Sequence, residues 1–306
     1  MKYDVLIIGS GPAGLGAAIY GARAGLKVAV FDKSPISGGQ VLTTYEVDNY
    51  LGLPGISGGE LSEKFRQHAD ALQVSFISEE VCEIRTENDT KYVVTNQSVY
   101  ETSTVILATG AHHAKLQIKG EQELAGMGVS YCATCDGAFF KKRTVAVIGG
   151  GDVAVEDAIF LAGLCKKVYL VHRREELRAA KSLQDKLFAL DNVEMCWNES
   201  PIEILGEDCV EKVRLKNTKT GNVSEIETDG VFIAVGINPE TELFQGIVEM
   251  DEKGYVIAGE DCKTSCEGIF AAGDIRKKQL RQIITAVADG ANAITSAQNY
   301  INNLKK

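Results

Sequence analysis

"KYDVLIIGSGPAGLGAAIYGARAGLKVAVFDKS", residues 2–34, decides the fold. The apolar run Val5 to Ile8 passes into Gly9-Ser10-Gly11-Pro12-Ala13-Gly14, then into an alanine-rich helical stretch and a second short strand that ends on Asp32. That order is what a dinucleotide demands. Gly9 allows the tight turn, Gly11 lets backbone approach a pyrophosphate, and Gly14 lets the helix pack closely on the strand. The helix start at Pro12 and Ala13 then turns the positive end of its dipole toward the phosphates. A carboxylate at Asp32 suits ribose hydroxyls, which donate hydrogen bonds to it.

Working outward, the same plan recurs at 144–181, "TVAVIGGGDVAVEDAIFLAGLCKKVYLVHRREELRAAK". Gly149, Gly151 and Ala154 occupy the three turn positions, with Asp152 opening the helix, so the chain carries two nucleotide sites. The two copies can be compared in register. Counting twenty-three residues from Gly9 reaches Asp32, and the same count from Gly149 reaches His172. His172, Arg173 and Arg174, with Arg178 one helical turn on, suit a ribose bearing a 2′-phosphate, where a carboxylate would be repelled and guanidinium pairs in bidentate fashion. The second nucleotide is therefore expected to be NADPH. The competing reading of "HRREELR" is a solvated helix start with internal Glu–Arg pairs.

Both halves end on a further apolar strand, "STVILATG" (103–110) and "DGVFIAVG" (229–236), and "EGIFAAGDIR" (267–276) places Asp274 just after a third. Continuous apolar runs of this kind belong to parallel sheets buried on both faces. The expected fold is α/β, two Rossmann-like three-layer β/β/α domains with one inserted into the other. Residues 1–113 and 243–306 form the discontinuous first domain, and 114–242 the second. The chain crosses twice between them, near "GAHHAKLQIKG" and "GINPETEL", a hinge compatible with rotation.

The net charge of −10 over 306 residues argues against nucleic acid or an anionic membrane as partner. No apolar stretch approaches the roughly 18 residues of a membrane helix, and the N-terminal run is too short and glycine-bound for a signal peptide. A cytoplasmic location is expected, so the eight cysteines cannot be taken for a structural disulfide framework.

Two of them, Cys132 and Cys135, stand in "SYCATCDGAFF" (130–140). A zinc site would need a second pair, and Cys262 with Cys266 is the sole candidate. Two buried thiols are a further alternative, weakened by the neighbours Asp136 and Gly137, which are poor interior residues. The third reading is a redox disulfide. Because Cys135 lies fourteen residues before Gly149, at the edge of a nucleotide domain and outside any thioredoxin-like fold, such a pair must exchange electrons with a cofactor. No metal is expected. Cys82, Cys165, Cys196 and Cys209 fall in strand or helix patterns and are expected to be small buried apolar residues. His112 and His113 are expected in a loop.

The motifs "GSGPAGLGAAIYGARAGL", "SGGQVLTTYEVDNYLGLPG", "YCATCDG", "GGGDVAVEDA", "HRREELR", "GIFAAGD" and "RQIITAVADG" together resemble the bacterial low-molecular-weight thioredoxin reductase family over essentially the whole chain. The resemblance implies FAD at the first site, NADPH at the second, a homodimer through the FAD domains, and thioredoxin as the protein disulfide reduced. Carried over, FAD contacts fall on Gly9, Gly11, Pro12, Ala13, Gly14, Asp32, Gln40, Asn49, Asp274, Arg281 and Gln282. The resemblance also implies that Cys135 faces the flavin, Cys132 attacks the substrate and Asp136 manages protons. The sequence departs from the family at Asp32, where glutamate is common, and at Cys262 and Cys266, where no thiols are expected. The alternatives are a related flavin disulfide reductase serving another dithiol protein or a peroxiredoxin, and a flavin redox sensor without turnover.

Overall fold

Val5, Leu6 and Ile7 are all fully buried, because the strand that carries them, β1 (Lys2–Ile8), has a partner on each edge and a covered surface on each face. The computed structural model describes residues 2–44 and 46–304. After β1 the chain forms α1 (Pro12–Arg23), β2 (Val28–Phe31), α2 (Gly58–Ala71) and β3 (Ser75–Ile77). An antiparallel meander follows, made of β4 (Val81–Glu87), β5 (Thr90–Thr95) and the first half of β6 (Val99–Leu107). The second half of β6 joins β1 in parallel, so one long strand links the meander to the parallel part of a single seven-stranded sheet.

The chain then enters β7 (Ala111–His113), β8 (Val129–Ser130), the single turn α3 (Ala133–Asp136), β9 (Thr144–Gly149) and α4 (Asp152–Ala162). Next come β10 (Lys167–His172), α5 (Lys181–Phe188), β11 (Val193–Trp197), the meander β12 (Glu199–Leu205), β13 (Lys212–Asn217) and β14 (Val223–Glu227), and β15 (Gly230–Ala234). It returns through β16 (Ile237–Pro239) to β17 (Ile269–Ala271) and the long α6 (Ile283–Leu304).

Contacts divide the chain into two units, Met1–His112 with Asn238–Lys306, and His113–Ile237. The crossings fall inside β7 and β16, which pair with each other. Each unit repeats one plan. In the first, β3-β2-β1-β6-β17 run parallel and β4-β5-β6 form the meander; in the second, β11-β10-β9-β15-β8 run parallel with β12-β13-β14 as the meander. Helices cover one face of each parallel sheet and the meander side covers the other, as separate apolar clusters on the two faces record. This is the three-layer β/β/α arrangement, twice.

The glycine turn is sterically required. Gly9 has φ +107°, and a Cβ there would lie 2.3 Å from the Ala108 carbonyl oxygen; a Cβ on Gly14 would lie 1.9 Å from the Gly9 oxygen. One expectation is corrected here, and one competing reading falls. His112 and His113 lie in strand β7, where His112 Nδ1 sits 3.0 Å from Glu240 Oε1 and the His113 ring stacks on Tyr131. "HRREELR" is no helix start: β10 ends at His172 and α5 begins at Lys181. Buried Leu177, together with the Arg178 N–H donated to the Gly150 oxygen at 2.7 Å, holds the intervening segment as a loop.

Candidate functional site

Cys132 and Cys135 are joined by a disulfide, with their Cα atoms 5.3 Å apart, inside the usual range for such bridges. The turn is built from its own backbone: the Cys135 and Asp136 N–H groups both donate to the Cys132 carbonyl, at 3.3 and 3.1 Å. Ser130, the last residue of β8, reaches across it. Its hydroxyl donates to Asp136 Oδ2 at 2.6 Å and accepts the Cys132 N–H at 3.1 Å. Burial holds the Asp136 carboxyl above the usual carboxylate range, and the Ser130 hydrogen bond opposes that shift. Gly137, read from sequence as a poor interior residue, is in fact buried: a Cβ there would meet Leu161 and Phe160 of α4 at 3.0 Å, so the small residue permits close packing.

Around the α1 N-terminus the first unit gathers the residues expected at one nucleotide. Asp32 Oδ2 accepts from the Ser10 N–H at 2.9 Å and the Ser10 hydroxyl at 2.6 Å, and Oδ1 accepts from the Ser34 N–H at 2.9 Å. Gln40 donates to the Ala111 carbonyl, and Asn49 Nδ2 donates to Gln282 Oε1 at 2.9 Å. A Cβ on Gly273 would lie 2.8 Å from that of Ala13, so the turn carrying Asp274 closes directly on the helix start. Asp274 Oδ1 is buried and accepts no hydrogen bond, with Lys278 Nζ 3.7 Å away. Burial raises the Asp274 pKa, against the charges of Lys278 and Arg281. Arg281 donates to the Asp274 carbonyl at 3.3 Å and lies over the Tyr255 ring at 3.9 Å. Neither α1, capped at Gly11, nor α4, capped at Gly151, uses a side chain to satisfy its first N–H groups. In the second unit Asp152 caps the other way, its Oδ1 accepting the Ala180 N–H at 2.8 Å at the start of α5.

Beyond β10 lies an open cavity of about 480 Å³ lined by Arg173, Arg174 and Arg178. His172 is buried beneath this loop; a Cβ on Gly150 would lie 2.2 Å from its Nδ1, and its Nε2 donates to the Glu176 carbonyl at 3.1 Å. Burial lowers its pKa. The cavity also contains residues that the sequence reading missed, Asn198, Thr218 and Lys219, which no spacing rule connects to the arginines.

The other cysteines fall into three kinds. Cys165 is buried, as expected of an apolar thiol, and Cys262 is buried too; burial pushes them up to about 11 and about 12. Cys196 is half-buried in β11. Cys82 and Cys209 are exposed, contrary to the expectation of buried residues: Cys82 lies on the open face of the β4 meander strand and Cys209 in the loop before β13. Cys262 belongs to the helix-side core while Cys266 packs against the core on the opposite face, so the two are separate free thiols. Among the described residues no group of three or more His, Cys, Asp or Glu could hold a metal, and no helix is long and apolar enough to cross a membrane.

Two nucleotide folds in one chain, the second carrying a disulfide between cysteines three apart, define a class. A model of the pyridine nucleotide-disulphide oxidoreductase family matches residues 3–290, and the chain belongs to that family. Thioredoxin reductases of Listeria innocua and Peptoclostridium acidaminophilum are each 44% identical to it, over 99% and 98% of this chain and 95% and 97% of theirs. The crystal structure of thioredoxin reductase from Streptococcus pyogenes MGAS5005 matches with a TM-score of 0.94 at 46% identity, covering 99% of each chain. Within the family the chain stands among the thioredoxin reductases.

Proposed function

We propose that the protein reduces the disulfide of thioredoxin with NADPH, through FAD and the Cys132–Cys135 pair. The observation that carries this reading is the disulfide itself, carried with Asp136 on one turn of the unit that holds the second dinucleotide fold. Residues 1–113 with 243–306 form the FAD domain and 114–242 the NADPH domain. FAD fits its residues: Asp274 Oδ1, buried and 3.7 Å from the Lys278 ammonium but accepting no hydrogen bond, has room to accept one from a ligand hydroxyl, and Gly11 leaves the α1 N-terminus open, since a Cβ there would meet nothing within 4 Å. NADPH fits the three arginines, whose guanidinium groups suit a 2′-phosphate. Bound FAD supplies a carrier of two electrons from NADPH to the disulfide.

The chain's own residues then handle sulfur and protons. Cys132, reduced, attacks a sulfur of the thioredoxin disulfide; Cys135 attacks the resulting Cys132 mixed disulfide and releases thioredoxin as a dithiol, restoring the Cys132–Cys135 bond. Asp136 holds the proton that the departing thiolate takes, and Ser130 keeps that carboxyl in place. Six unpaired cysteines suit a reducing cytoplasm. The assembly is a homodimer, tested by a solution mass of twice 33.0 kDa.

The test is NADPH oxidation with and without the organism's thioredoxin. Oxidation is expected to require thioredoxin and to be much slower with NADH; equal rates with the two nucleotides would refute the assignment of the second site. Asp136→Asn keeps a hydrogen-bonding group beside Ser130 but cannot give up a titrating proton. Its thioredoxin-dependent kcat should fall about a hundredfold, while bleaching of the flavin by NADPH proceeds as in wild type. In the wild type the rate should decline as pH rises through the raised Asp136 pKa and the carboxyl loses its proton; that limb should vanish in Asp136→Asn. Unchanged turnover in the variant would remove Asp136 from the mechanism.

A further inference from the structure

We infer that Lys219, at the turn of the β13–β14 hairpin, is a further determinant of 2′-phosphate recognition, acting with Arg173, Arg174 and Arg178. The inference rests on the NADPH reading and extends it to a part of the chain outside the arginine motif. Lys219 lines the same cavity as the three arginines, although it lies forty-five residues beyond Arg174 in sequence.

The hairpin is stapled to the arginine loop through backbone groups. The Asn198 N–H donates to the Arg174 carbonyl at 3.2 Å, the Thr218 N–H donates to the Asn198 carbonyl at 2.7 Å, and the Thr218 hydroxyl donates to the Arg173 carbonyl at 3.1 Å. Asn217 fixes the turn, its Oδ1 accepting the Lys219 and Thr220 N–H groups at 3.1 and 2.9 Å. The Lys219 backbone is thus positioned relative to the arginines, and only its side chain has freedom.

Its ammonium pairs with Glu175, which also lines the cavity. Both side chains are more than half exposed, at 58% and 67%, so the pair is screened and weak. A phosphate carrying nearly two negative charges competes well for the same ammonium. Four cations and two carboxylates, Glu175 and Glu176, line the cavity, and the surplus of positive charge halves if Lys219 is lost. Lys219 therefore acts in two ways on one ligand group: it masks a carboxylate that would repel the phosphate, and it offers a donor from the β13–β14 hairpin, outside the motif.

The test measures binding of adenosine 2′,5′-bisphosphate and of 5′-AMP to the oxidised holoenzyme by calorimetry. Wild type should prefer the bisphosphate. Lys219→Met should weaken bisphosphate binding about fivefold to tenfold, the scale of one partly screened charge-assisted hydrogen bond, and leave 5′-AMP binding unchanged; Lys219→Arg should retain most of the preference. A wild type without preference for the 2′-phosphate overturns the NADPH reading and this inference with it. A wild-type preference that survives intact in Lys219→Met overturns the inference alone. The position is an exposed turn, and unchanged 5′-AMP binding in the variants establishes that the unit carrying Lys219 folds.

Discussion

Cys135→Ser should abolish thioredoxin-dependent NADPH oxidation, with a loss exceeding about a thousandfold, the scale seen when one member of a covalent catalytic set is removed. The remaining Cys132 thiol can still attack a disulfide and form a mixed disulfide, but that intermediate now has no neighbouring thiol to resolve it. The variant should therefore trap one thioredoxin per chain as a covalent adduct, visible by mass and released by a small thiol reductant. Bleaching of the flavin by NADPH should persist, since that half-reaction involves neither cysteine. The remaining cysteines offer no substitute pair: all six are free, and Cys262 and Cys266, the closest in sequence, pack on opposite faces of the first sheet. Retained turnover in Cys135→Ser would overturn the assignment of the active pair.

Asp289→Leu should be the most destabilising single change outside the dithiol. Asp289 lies within α6, 5% exposed, and gathers three partners: Arg276 at 2.7 Å, Lys278 at 3.0 Å, and the Gly273 N–H at 3.0 Å. Both cationic side chains are largely buried, so removing the carboxylate leaves two charges without their counter-ion in a poorly solvated place. Breaking a buried pair from one side costs about 3–5 kcal/mol. The same carboxylate holds the turn that presents Asp274 near the α1 N-terminus, so FAD retention should fall with stability. Thermal unfolding followed by flavin release measures both. Arg276→Met and Lys278→Met added to Asp289→Leu should recover much of the loss, because the unpaired charges go with the carboxylate. A wild-type unfolding temperature in Asp289→Leu alone would show that solvent or other groups satisfy the two cations.

Much of the site could be read locally. The strand, glycine turn and helix at residues 2–34 are contiguous, and the steric demands at Gly9 and Gly14 are imposed by atoms within the same βα unit and its neighbouring strand. The disulfide joins residues three apart and needs no distant partner. Where the reading failed, the deciding contact was remote. The competing reading of "HRREELR" as a helix start drew on its helix-favouring charges, yet the Arg178 N–H bonds to Gly150 and buried Leu177 ties the segment to the core as a loop. His112 and His113 have no strand signal of their own; β7 exists because β16, more than a hundred residues later, pairs with it. Gly137 looks like a surface residue until α4 packs against it.

What the sequence by itself determined is the double α/β plan, the pairing of two nucleotide folds with one dithiol, and the likeness to thioredoxin reductases, because glycine turns, strand periodicity and a CxxC spacing are constraints acting within a few residues. Only the tertiary structure decided which charges meet. Lys219 with Glu175 beside the arginines, and Asp289 with Arg276 and Lys278, are pairings of side chains brought together by the fold, and their energetics depend on burial, which linear order does not encode.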